Sequence, residues 1–343
     1  MQSSVKKKTW VITDPGVDDA VGLFVLGALN QDLSFIASYG NAPTQQTSAN
    51  LAGITDFIQH SMKPEYKKTI DVFTGVDRAL EAKDPYTPEG GDLFFIHGKN
   101  ALEGQFSSHA PAHQSSTQLY EKEATNNEKI DIISLAALTE VALLLQRKEL
   151  VEKVRSLTFM GGTFFTQGNV DTHSEANLSH DPKALDLILH ITHEKQIPLT
   201  IVPLDVTEHP SLELTDERRE RIIVDLRANG SEKMAEMIQS LVGPGTTYPA
   251  FYRQKRGVLS HIAPITKRLF TGCPIHDLTT FFVIEHPELF EIVKIPVMQR
   301  YPGILGAPTA WMNPPKTKAF VAMHMNDEKA YWDLVTKYLR RYT

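Results

Sequence analysis

A single cysteine, Cys273, leaves no partner for an internal disulfide and too few thiolates for a multi-cysteine zinc site; this suits a reducing compartment, with the cytoplasm as the default. No apolar run reaches the ~18 residues a membrane helix needs. The segment ahead of Thr9 is polar and lacks the apolar stretch of a signal peptide, so a soluble, unsecreted chain without a membrane partner is expected. Positive charge is not in excess: 35 Lys and Arg stand against 41 Asp and Glu, and the net charge of -6 would repel a polyanion, which argues against nucleic acid as a partner. The one basic run, Lys6 to Lys8, reads as part of a flexible, solvated tail over residues 1–8. Internal repeats and low-complexity tracts are absent as well.

What is present is a chain of 343 residues, 41% hydrophobic, able to bury a large core as one domain spanning residues 1–343. Short runs rich in β-branched and aromatic residues alternate with longer helical stretches, the pattern of an α/β fold with a mostly parallel sheet flanked by helices. The expected strands are Thr9 to Thr13, Leu33 to Tyr39, Asp71 to Thr74, Ile130 to Leu135, Leu157 to Met160 and Leu199 to Val202. Asp181 followed by Pro182 predicts a capped helix to about His193. Near the end, Tyr331, Leu334, Val335, Tyr338 and Leu339 fall on one face of a helix over 327–342. Residues 83–127 read as loops around a turn at Ile96-His97-Gly98, and 243–257 reads as a mobile loop near the site.

The first strand runs into Asp14-Pro15-Gly16-Val17-Asp18-Asp19-Ala20. The carboxyl end of a parallel strand is where open α/β sheets bind ligands. Three carboxylates this close repel one another unless a cation or proton joins them. All-oxygen ligation favours a hard ion, calcium or magnesium. The plainer reading gives Asp14 a turn before Pro15 and lets Asp18 or Asp19 cap the helix that follows.

This segment resembles the signature of the inosine-uridine-preferring nucleoside hydrolase family. Further motifs follow in that family's order: Gly40-Asn41, Ile96-His97-Gly98, Leu138-Thr139, Met160-Gly161-Gly162, Gly168-Asn169, Glu175-Ala176-Asn177, Asp181-Pro182, Leu204-Asp205-Val206-Thr207 and His276-Asp277. The resemblance implies a Rossmann-like nucleoside hydrolase fold and Ca²⁺-dependent cleavage of ribonucleosides into base and ribose. A purine-specific member acting on inosine or guanosine in salvage is the leading expectation, with a broad inosine-uridine or pyrimidine ribonucleoside hydrolase as the alternative; a homodimer is the favoured assembly and a homotetramer the other. It also implies that Asp14, Asp19, Asp277 and the carbonyl of Leu135 hold the metal, and that Asp18 takes a proton from the attacking water. Asn41, Asn169, Glu175 and Asn177 would hold the ribose hydroxyls, and His276 would help protonate the departing base. Apart from the resemblance, Tyr248 and Tyr252, four apart on a possible helix with Phe251 and Arg253 nearby, read as a wall that stacks on the base, and His97 is a further candidate for binding substrate.

Three positions depart from the family pattern. Ile12 stands where an aspartate is usual, Glu140 replaces an asparagine, and Ala176 replaces a phenylalanine, which reshapes the pocket. The residues leave two rival readings. A magnesium phosphohydrolase would want an aspartate where Ile12 stands; a calcium-held nucleoside-binding protein without turnover would have no need of Asp18.

Overall fold

The computed structural model describes residues 7–29, 31–88, 94–262, 270–300, 303–306 and 316–343. All six expected strands form: β1 (Lys8–Thr13), β2 (Asp32–Ala37), β3 (Asp71–Thr74), β4 (Ile130–Ser134), β5 (Val154–Met160) and β6 (Leu199–Val202). Five more follow: β7 (Glu213–Thr215), β8 (Gly272–Pro274), β9 (Phe290–Arg300), β10 (Gly303–Gly306) and β11 (Lys318–Met325). Nine of them make one sheet in the order β10-β9-β11-β6-β5-β4-β1-β2-β3, and β7 with β8 makes a separate antiparallel pair. From β11 to β3 every pairing is parallel, and β9 and β10 close the far edge antiparallel. The result is a single α/β domain.

Burial on both faces is what turns these short apolar runs into parallel strands. Alternate residues of β1 feed two separate cores: Val11 joins Phe24, Phe35 and Leu135 on one face, and Trp10 and Ile12 join Ile36, Ile132 and Phe159 on the other. Ile12 is thus fully buried in the layer facing away from Val11, where an isoleucine packs well.

Register sets the site. Ile12 pairs with both Ile36 and Ser134, and Thr13 with Ala37, so β1, β2 and β4 end level. The residues after each strand, Asp14, Gly40-Asn41 and Leu135, therefore emerge at one edge.

Several expectations need correction. Lys8 opens β1 rather than belonging to a tail, and its ammonium lies 2.6 Å from the buried carboxylate of Glu123; residues 1–6 lie outside the described residues. Part of the expected loop region 83–127 is the helix Ser116–Ala124, started by a reciprocal cap between Ser115 and Gln118. The stretch 243–257 is not a loop from Thr247 onward but the start of the helix Thr247–Ile262, in keeping with the helical spacing of Tyr248 and Tyr252. Pro249 falls in its first turn, where a missing N–H costs nothing, and Tyr248 and Tyr252 bury one face. The strands β7 to β11 are not among those the sequence pattern predicts, and β9 to β11 are the ones that extend the main sheet. Pro296, a residue that argues against a central strand but is tolerated near an edge, lies within β9, opposite Lys318 of β11.

Candidate active site

Two helices deliver the carboxylates. Asp18 and Asp19 lie in the first turn of Val17–Gly27, and Asp277 lies in the first turn of His276–Glu285. Helix N-termini carry partial positive charge that favours anions. The helices approach closely at Gly22, where a Cβ would stand 2.9 Å from the Phe281 ring and 3.1 Å from the Leu278 amide nitrogen. That closeness brings Asp277 to the Pro15-Gly16 turn although more than 250 residues separate them in sequence.

One carboxylate oxygen from each of Asp18, Asp19 and Asp277 lies within 4.8 Å of the others, and all three residues are buried. Asp14 backs this trio. Its Oδ2 accepts a hydrogen bond from the Asn41 amide at 2.7 Å. Gly40 leaves the room this needs, since a Cβ there would sit 1.8 Å from that oxygen. Asp19 accepts from the Thr13 hydroxyl, from the Gly16 amide at 3.0 Å and from Asn41 Nδ2 at 3.1 Å. Asp19 therefore caps the helix and belongs to the cluster as well.

Electrostatics show how unfavourable this cluster is without positive charge. Burial, then the charge of Asp19, pushes the Asp18 carboxyl up to about 8. Burial also raises Asp19 and lifts Asp14 and Asp277 well above the usual carboxylate range, with neighbouring aspartates adding to the last two. Oδ1 of Asp14 and Oδ1 of Asp18 are buried without a hydrogen-bond partner among the described residues. Buried oxygens of this kind call for a proton or a cation. The residues fit a hard divalent ion, and the cluster could hold one.

The cluster floors a cavity of about 200 Å³. Asn41, His97, Leu135, Asn169, Glu175, Asn177, Tyr248, Tyr252 and His276, all singled out from sequence, line it with Asp18 and Asp277. Glu175 caps the short helix Ala176–His180, accepting from the amides of Asn177 at 2.8 Å, Leu178 at 3.2 Å and Gly162 at 3.0 Å. Burial lifts its carboxyl to about 7 against those three donors. Asn169 Oδ1 accepts from the Ala176 amide at 3.0 Å. Asn177 Nδ2 donates to the Leu135 carbonyl at 2.9 Å and to the Met160 carbonyl at 3.2 Å.

The opposite wall is aromatic. His97 Nδ1 accepts from the Val17 amide at 3.1 Å and lies 3.8 Å from Asp18 Oδ1, and its ring stacks on Tyr248 at 5.1 Å. Burial drives the His97 imidazole down to about 3, so it is neutral near pH 7. The Tyr248 hydroxyl donates to the Pro274 carbonyl at 2.9 Å. Tyr252 and His276 meet through the phenol and Nε2 at 3.1 Å, while His276 Nδ1 faces the Thr207 hydroxyl at 2.8 Å.

Arg253 does not join this wall. Its guanidinium is exposed, paired with Asp216 at 3.3 Å, because it follows Tyr252 by one position and a helix turns about 100° per residue. Glu140 is also remote from the sugar side: it is buried and accepts from the Tyr120 hydroxyl and from the Val76 amide at 2.7 Å. Sequence reasoning did not single out Tyr86 and His180, which line the cavity. Tyr86 lies in a proline- and glycine-bearing stretch without periodicity, whereas His180, between the Asn177 motif and the Asp181 cap, offered a positional hint.

A parallel α/β sheet with a buried carboxylate cluster at the carboxyl ends of its strands, beneath an aromatic-walled cavity, defines a class of enzymes that bind small ligands beside a cation. The family model for inosine-uridine preferring nucleoside hydrolases matches residues 9–333. The chain belongs to that family and is an N-glycosyl hydrolase. It is 26% identical over 312 residues to uridine nucleosidase 1 of Arabidopsis thaliana, covering 87% of this chain and 80% of that protein. Identity is 28% over 286 residues to a pyrimidine-specific ribonucleoside hydrolase of Shewanella oneidensis, 81% of this chain and 77% of the other. Among solved structures, a purine-preferring ribonucleoside hydrolase from Gardnerella vaginalis superposes with a TM-score of 0.77 at 22% identity, over 97% of this chain and 98% of that one. A plant nucleoside hydrolase gives 0.77 at 21% identity, over 98% and 99%. Among the described residues no helix is long and apolar enough to cross a membrane.

Proposed function

We propose that the protein hydrolyses the N-glycosidic bond of purine ribonucleosides, inosine and guanosine in salvage, with Ca²⁺ as its resident metal. The observation that carries this reading is the convergence of Asp18, Asp19 and Asp277, with Asp14 behind them, under a cavity walled by Tyr248, Phe251 and Tyr252. A wide aromatic wall suits a bicyclic base. Four acidic groups and backbone carbonyls suit a hard ion of high coordination number.

Asp14, Asp19, Asp277 and the Leu135 carbonyl would hold the ion, which when bound supplies Lewis acidity and a positive anchor for the ribose diol. Asp18 accepts a proton from the attacking water, its pKa of about 8 falling as positive charge enters the cluster. Glu175, Asn41, Asn169 and Asn177 orient the ribose, and the carboxylates around it stabilise the oxocarbenium-like charge that develops as the base departs. His276, hydrogen-bonded to the Tyr252 phenol, hands a proton to the leaving base. The assembly proposed is a cytoplasmic homodimer.

A second reading, preference for uridine or pyrimidine ribonucleosides generally, is favoured by the names of the sequence relatives in Arabidopsis thaliana and Shewanella oneidensis. Assaying released ribose from each natural nucleoside, with and without chelator, separates the two. Purine preference predicts the highest kcat/KM for inosine or guanosine; fastest turnover of uridine replaces that part of the proposal, and turnover that survives chelation overturns the metal.

A further inference from the structure

The cavity has a side that neither the acidic cluster nor the aromatic wall occupies. Tyr86, Val170, Ala176 and His180 line the cavity as well, Tyr86 in ring contact with His180, and Ala176 bonded through its amide to Asn169, the residue before Val170. Resting on the reading above, the diol faces the aspartates and the base faces Tyr248, Phe251 and Tyr252. Ribose then has one remaining attachment point, C5′, and this side is what is left for it.

We infer that the site accepts ribonucleosides carrying an uncharged substituent on C5′, such as a thioether, seated in the lobe between Tyr86, Val170, Ala176 and His180. Room comes first. Ala176 presents a single methyl group there, and Val170, 59% exposed, stands at the lip. His180 also borders a second cavity of about 470 Å³, so the space does not end at the imidazole; that cavity is charged, with Lys183 among Glu81, Asp181 and Asp186, and it bounds the apolar lobe on its far side.

The wall is also held in place. Tyr86 and His180 meet edge to face at 5.1 Å, and Tyr39 lies 5.1 Å from the first and 6.0 Å from the second. The Tyr39 phenol is bonded to Thr139 at 2.7 Å, and Thr139 donates to Asp181 at 2.6 Å, the residue that caps the helix Pro182–Glu194. These are rings and methyl groups on a fixed frame, suited to an apolar group.

Charge decides the class of substituent. Among the described residues lining the cavity there is no lysine or arginine, while Asp18, Glu175 and Asp277 are there. Burial holds the His180 imidazole down at about 4, so it brings no positive charge near neutral pH. A phosphate on C5′ would bring negative charge close to Asp18, Glu175 and Asp277 with no lysine or arginine in the cavity lining to balance it, whereas a neutral thioether brings no charge for them to repel. The bond broken is unchanged: water adds across the C1′–N bond, the base leaves with a proton, and the C5′–S bond stays in the sugar product.

The test compares kcat/KM for inosine and uridine, their 5′-deoxy-5′-methylthio derivatives and their 5′-monophosphates, using the calcium-loaded full chain. The methylthio derivatives should fall within about tenfold of the parents, and the monophosphates at least about a hundredfold below them. Ala176→Phe should lower kcat/KM for the methylthio derivatives about tenfold or more relative to its effect on the parents. Val170→Trp, at a position whose side chain is exposed, should act in the same direction. Methylthio derivatives about a hundredfold poorer than their parents, or substitutions that affect parent and derivative alike, would overturn the inference. If no unmodified nucleoside is cleaved, the hydrolase reading falls first and the lobe with it.

Discussion

Replacing Asp18 by asparagine should make the protein more stable and nearly inactive. Asparagine keeps the shape and removes the charge. In the chelated protein, burial and Asp19 hold the Asp18 carboxyl at about 8, against the ordinary value of 3.8. Such a group binds its proton more tightly folded than unfolded, so it favours the fold below pH 4 and loses that advantage as pH climbs toward 8. At pH 7 the span from 3.8 is about three units, and at roughly 1.4 kcal/mol per unit the aspartate costs on the order of 4 kcal/mol that asparagine would not. Asp14 and Asp277 also feel the charge of Asp18, so its removal eases them too. Thermal or urea unfolding with chelator present should therefore show Asp18→Asn more stable than the parent at pH 7 to 8, the gap closing toward pH 4. Turnover measured with calcium should fall by about 10²- to 10⁴-fold, the usual contribution of a positioned base. A variant less stable than the chelated parent at pH 8, or one with unaltered turnover, would refute the placement of charge at Asp18.

Chelation of the parent should lower its unfolding midpoint more at pH 8 than at pH 5, since the cation stabilises carboxylates that are protonated at the lower pH; the comparison is a melt with and without calcium at each pH. Tyr252→Phe removes the phenol from His276 Nε2 and should reduce kcat about tenfold or more with little change in KM, read from steady-state kinetics. Arg253→Ala should leave kcat/KM within about twofold of the parent, because the guanidinium pairs with Asp216 on the exterior. Glu140→Ala leaves the Val76 amide and the Tyr120 hydroxyl without their acceptor and should cost about 2 to 4 kcal/mol in urea unfolding, with KM nearly unchanged.

Much of the fold was legible because local chemistry and tertiary demand coincide in it. The six strands from β1 to β6 are short runs buried on both faces, and such runs read directly as apolar segments bounded by turns. Where local signals conflicted, the reading failed. Gly257 and Pro249 spoke for a loop, yet Tyr248 and Tyr252 gained more from burial on one helix face than the breakers cost. Pro296 and the charged Lys294 hid β9, a strand whose antiparallel place near the sheet edge tolerates both. Arg253 was misjudged because its neighbours in sequence line the cavity and its helical phase does not.

By itself the sequence determined the parallel strands, the carboxylate-bearing turn from Asp14 to Asp19 and the ordered motifs that mark the family, because each is written in contiguous residues. Only the tertiary structure decided that Asp277 meets Asp18 and Asp19, that Glu140 is a buried support, and that Tyr86 and His180 border the cavity. These depend on which strands end level and how closely two helices pack at Gly22, and burial then sets the charge of what they bring together. None of those quantities is local, so no stretch of sequence carries them.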